Sequence, residues 1–82
     1  MSAVVTATDL LDHLRTAAPM FVWPLERFFR DTGTTPYEVG QTTPALLSTV
    51  RGIGPQALHV YATALRRLGV PMRQEWTDYG DQ

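Results

Sequence analysis

The stretch with chemistry in it is Gly52-Ile53-Gly54-Pro55, two glycines around one aliphatic residue with a proline directly after. Glycine reaches positive φ without steric cost, so the chain can turn tightly there and lie close to another surface. Ile53 is expected to point inward and pin the turn. Amide N–H groups would then face outward beside the first turn of a helix. Free amides at the positive end of a helix dipole make an anion-binding arrangement. The expected contributors are the amides of Gly52, Gly54, Gln56 and Ala57, with a charge-assisted contact from Arg51. Pro55 gives up a donor and fixes the helix start.

Catalytic and metal chemistry find no convergent support, and neither an enzyme nor a cofactor is expected. The chain has 2 His and no Cys, and all seven of its Lys/Arg positions are Arg, so a phosphate-binding lysine is excluded. Ser48 lacks an activating motif and Ser2 is terminal. Asp9, Asp12 and His13 do not bring three good ligands to one helix face and read as solvated charges. His59, early in the last helix, reads either as a phosphate contact or as a plain solvated histidine.

Net charge is −1, which argues against a strongly basic nucleic-acid binder, but the distribution is uneven. From Val39 to Gln74 there are four Arg (Arg51, Arg66, Arg67, Arg73) and no acid; residues 1–38 carry −2 and residues 75–82 carry −3. Positive potential is therefore expected on the unit that holds the glycine turn. The absence of cysteine suits a reducing cytoplasm. Met1 to Val5 lacks a basic start and a long apolar run, so no signal peptide is expected, and no stretch is long enough to span a membrane.

The elements that must position the turn read as helices throughout. The 82 residues allow one domain with one small core. Thr8 is placed to cap a first helix from Asp9 to about Ala18, with Leu10, Leu11 and Leu14 on one face. Phe21, Val22 and Trp23 bridge into a helix with Pro24 in its first turn and Gly33 past its end. The aromatic cluster Phe21, Trp23, Phe28 and Phe29 is assigned to the core. Thr35-Pro36 and Thr43-Pro44 each pair an N-cap hydroxyl with proline at N1. The first starts a helix of about a turn. The second starts the helix leading into the glycine turn, with Leu46, Leu47 and Val50 inward. The last helix runs from Pro55 with Leu58, Tyr61 or Ala62, Leu65 and Leu68 on its buried face, and Gly69 and Pro71 end it. The expected architecture is all-α, a compact bundle of 4–5 short helices over residues 1–76, with an extra N-terminal helix at 9–18 and a core unit at 24–70. Residues 77–82 are expected to form an acidic flexible tail.

Leu47, Val50, Gly52, Ile53, Gly54, Ala57 and Leu58 fall where a helix-hairpin-helix motif has its key residues, and the stretch resembles that motif. Residues 24–76 further resemble the C-terminal domain of the bacterial RNA polymerase α subunit. The resemblance implies a SAM-like helical fold, DNA-backbone binding without sequence readout, and a transcription or nucleoid setting in a bacterial cytoplasm. It also brings in Arg27 as a second backbone contact. The family's minor-groove arginine falls on Pro24, and its turn sequence becomes Gly52-Ile53-Gly54, so its specific side-chain contacts are not carried over.

The competing class is a protein-interaction module that contacts RNA polymerase or another transcription protein, or self-associates into an oligomer. Its candidates are Val60, Met72, Trp76 and Tyr79, unless Trp76 folds back onto the core as the resemblance implies. A third reading makes the turn purely structural.

Overall fold

Each helix start is written locally. In the computed structural model, which describes residues 4–80, α1 (Ala7–Ala17) begins with a reciprocal capping box. Thr6 Oγ1 accepts from the Asp9 amide at 3.1 Å and Asp9 Oδ2 accepts from the Thr6 amide at 3.0 Å. The cap is thus Thr6, not Thr8, because only Thr6 has an acid at N3. A 3₁₀ turn at Pro19–Phe21 leads into α2 (Val22–Thr32), which closes on Gly33 in the left-handed region at φ 68°. Thr35 caps α3 (Pro36–Gln41) with a second capping box through Glu38, and Thr43 caps α4 (Pro44–Leu47). The longest helix, α5 (Pro55–Arg67), starts from extended Gly54. It ends in a Schellman arrangement: the Val70 amide donates to Leu65 O at 2.9 Å and the Gly69 amide to Arg66 O at 3.1 Å.

The helix leading into the glycine turn is shorter than its apolar spacing suggests. After Leu47 the hydroxyls of Ser48 and Thr49 donate back to the carbonyls of Ala45 and Leu46, and the chain passes through turns to Gly52. One turn of helix cannot hold Leu46, Leu47 and Val50 on one inward face. Leu47 is buried, Val50 is half-buried and Leu46 points out at 63% exposure.

The fold is all-α, with five α-helices and no strand among the described residues. One core joins Leu10 and Leu14 of α1, Leu25 and Phe29 of α2, Val39 of α3, Leu47 of α4, and Leu58, Tyr61, Ala62 and Leu65 of α5. α1 packs against both α2 and α5, so the N-terminal helix belongs to the domain. The Tyr61 hydroxyl donates to the Phe21 carbonyl oxygen at 2.7 Å, fixing the 3₁₀ turn to α5.

The C-terminal segment closes the core. Trp76, in a second 3₁₀ turn (Gln74–Asp78), is fully buried, and its Nε1–H donates to Thr42 O at 2.8 Å. Beyond it, residues 77–80 make hydrogen bonds back to α5. Arg66 donates to Trp76 O at 3.2 Å and to Tyr79 O at 3.0 Å, and the Gly80 amide donates to His59 Nδ1 at 2.9 Å. Asp81 and Gln82, along with Ser2 and most of the expected absent leader, lie outside the described residues. No helix of the described residues is long and apolar enough to cross a membrane.

Candidate functional site

The glycine turn is held from below and from one side. Ile53 is buried at 4% exposure and its amide donates to Val50 O at 3.1 Å, which anchors the turn to the core. Gly52 takes φ 91°, and a Cβ there would lie 3.1 Å from Trp23 Cη2 and 3.2 Å from Pro24 Cβ and Cγ. The turn therefore leans on the N-terminus of α2, and no residue with a side chain fits the approach without displacing it. Gly54 differs: it is extended, with open space where a Cβ would stand.

No protein group accepts from the amides of Gly52, Gly54, Gln56 or Ala57 among the described residues. Pro55, Gln56 and Ala57 form the first turn of a 13-residue helix, so the last two amides are the orphan donors every helix start carries. Gln56 is exposed, whereas the Ala57 side chain is buried at 1%, which leaves Ala57 only its amide to offer.

Arg51 and Arg27 come together across this unit. They line one shallow groove of about 310 Å³ with Pro24, Phe28, Asp31, Thr32 and Val50. Arg51 makes no ion pair there, while Arg27 Nε lies 3.7 Å from Asp31 Oδ2 on the solvent side of α2. An ion pair this exposed contributes little, about 0–1 kcal/mol, so an incoming anion can compete for Arg27.

The other arginines of the acid-free stretch are not at the turn. Arg66 and Arg67 occupy the last turn of α5, roughly 16 Å along the helix axis from its start at 1.5 Å per residue. Arg66 is occupied with the Trp76 and Tyr79 carbonyls, and Arg73 pairs with Glu75 at 3.2 Å. The positive charge expected on the turn thus reduces to Arg51, with Arg27 supplied from α2, a helix outside the acid-free stretch.

The expected protein-docking residues sit differently. Trp76 is fully buried and offers nothing to a partner. Tyr79 is half-buried, packed against the His59 ring at 5.0 Å and the Trp76 ring at 6.0 Å, and Val60 is half-buried. His59 is exposed, and its Nδ1 accepts from the Gly80 amide. It lines a separate pocket of about 440 Å³ between α1 and α5 together with His13 and Arg67.

Trp23, expected in the core, is 52% exposed and lies beside the turn. Its position in α2 carried the signal: Val22, Leu25 and Phe29 form the inward stripe, and Trp23 shares the opposite stripe with Glu26, Arg27 and Arg30. Among the described residues no three metal-ligating side chains gather. Compared with protein-family models, curated proteins and solved structures, the chain finds no match.

Proposed function

We propose that the chain is a small non-enzymatic helix-hairpin-helix module that holds the DNA backbone weakly and without sequence preference, in a transcription or nucleoid context. The observation that carries this reading is the Gly52–Gly54 turn: four amides without protein acceptors at the start of α5, with Arg51 and Arg27 in one groove beside them. Backbone amides and arginines suit phosphate, and phosphate contacts position a protein without reading bases. Neutralising two to four phosphates gives a salt slope of about −2 to −4 and modest affinity. A second copy or a tether to another bound protein would raise occupancy through effective concentration.

The test is fluorescence anisotropy of a labelled mixed-sequence duplex at about 20 and 150 mM salt, with the salt dependence diagnostic of phosphate contact. Wild type, Arg51→Ala and Gly54→Glu are compared. A Cβ at Gly54 meets open space, so that variant sets a negative charge against an anion without crowding at the backbone. Salt-dependent binding lost in both variants supports the reading. A folded protein that binds no duplex at low salt sinks it, and the search moves to protein partners of the exposed Met20 and Leu46.

A further inference from the structure

We propose that the turn selects nucleic acid with unpaired bases, with Trp23 as the platform on which one base stacks; this rests on the backbone-binding reading above. Trp23 is half exposed and the six-membered-ring edge of its indole abuts Gly52, so the largest exposed aromatic surface of the described chain adjoins the phosphate seat. The two tryptophans are treated oppositely by the fold: Trp76 has no exposed surface and its indole N–H is satisfied by Thr42, whereas the indole N–H of Trp23 has no protein acceptor among the described residues.

The surroundings of Trp23 choose the occupant. On the side away from Gly52 the surface beside it is formed by Glu26, Arg27, Arg30 and Asp31, all charged. Glu26 is taken by Arg15 at 3.4 Å and Asp31 by Arg27 at 3.7 Å, which leaves Arg30, like Arg51, without an ion-pair partner. A hydrophobic helix or a second copy would need apolar surface on this side of the indole, and here it is charged. A nucleotide offers both halves of what is present, a flat π-face for the indole and a phosphate for the amides and arginines. In a duplex the base faces are stacked on each other and closed to the protein. Only an unpaired base can lie on an indole next to its own phosphate, and such stacking tolerates any base.

The experiment compares a labelled oligothymidylate of about 20 nucleotides with a blunt duplex of the same length, by anisotropy and by quenching of tryptophan fluorescence. Wild type, Trp23→Phe, Trp23→Ala and Arg51→Ala are used, each confirmed folded by circular dichroism. The single strand is expected to bind wild type about tenfold or more tighter than the duplex and to quench its fluorescence. Trp23→Ala is expected to lose that preference while keeping duplex binding, Trp23→Phe to keep most of it, and Arg51→Ala to weaken both ligands. Equal single-strand binding by wild type and Trp23→Ala overturns the stacking role while the backbone reading stands. Loss of both ligands in wild type overturns both. A self-association that Trp23→Ala abolishes, without single-strand binding, makes the indole a protein contact and overturns the proposal as well.

Discussion

The indole N–H of Trp76 donates to the carbonyl oxygen of Thr42 at 2.8 Å, linking the C-terminal 3₁₀ turn to the residue just after α3. The ring itself is fully buried. Trp76→Ala would remove the largest buried side chain of a small domain, and such truncations cost about 3–5 kcal/mol. Trp76→Phe keeps most of the volume but leaves the Thr42 carbonyl short of a donor, at a cost of about 1–3 kcal/mol. Urea denaturation followed by far-ultraviolet circular dichroism should rank wild type, Phe and Ala in that order. A Trp76→Ala protein as stable as wild type would contradict the burial.

Arg66 turns the end of α5 into a clamp on the C-terminal segment. Its Nη2 reaches the carbonyls of both Trp76 and Tyr79. Removing it should loosen residues 77–80 with little effect on the helices. In Arg66→Ala, amide exchange at Tyr79 and Gly80 should speed up by about tenfold, while the Leu58–Leu65 amides stay protected. Equal acceleration across α5 would mean that the clamp supports the whole domain.

Burial pushes the Tyr61 phenol well above its ordinary value of 10.0. The folded state therefore holds this proton after the unfolded chain has released it. Stability from this group is intact below pH 10 and falls as pH rises, by about 1.4 kcal/mol per pH unit for one proton. Denaturation midpoints should drop between pH 10 and 11 in wild type. Tyr61→Phe, which starts about 1 kcal/mol lower because Phe21 loses its donor, should show a flatter profile over the same range.

The features that were legible before the structure are those written within a few residues. Thr35-Pro36, Thr43-Pro44, Gly33 and Gly69 set their helix ends through local hydrogen bonds and backbone preference, and Ile53 turned inward as its position between two glycines implies. What was not legible depends on distance in space. The burial of Trp76 follows from the resemblance but from no local signal, because its partner is 34 positions away. Four arginines in one acid-free stretch look like a patch along the chain, yet α5 carries two of them to its far end. Trp23 is apolar, but its register in α2 puts it on the charged stripe, and register decides its exposure. At the candidate site the turn and Arg51 could be read directly, whereas Trp23 appears there only once α2 is packed beside Gly52.

Three glycines separate packing from conformation. At Gly40 an added Cβ would run into the backbone carbonyl of Pro71, on the segment where the Arg73 amide donates to Gly40 O at 2.9 Å. Backbone cannot swing aside as a side chain does, so Gly40→Ala should cost about 1–3 kcal/mol by overpacking, despite the better helix propensity of alanine. Gly52 combines φ 91° with tight approach to Trp23 and Pro24. Gly52→Ala should cost about 1–2 kcal/mol from the backbone and should also shift the Trp23 fluorescence maximum as the indole is displaced. Gly54 has neither restriction, and its alanine variant should stay within about 0.5 kcal/mol of wild type, because reduced freedom in the unfolded chain offsets a poorer cap. Thermal melts of the three variants give the comparison directly. If Gly54→Ala were the most destabilised, the turn would require its second glycine for conformation, and the open space beside that residue would not be available to an anion.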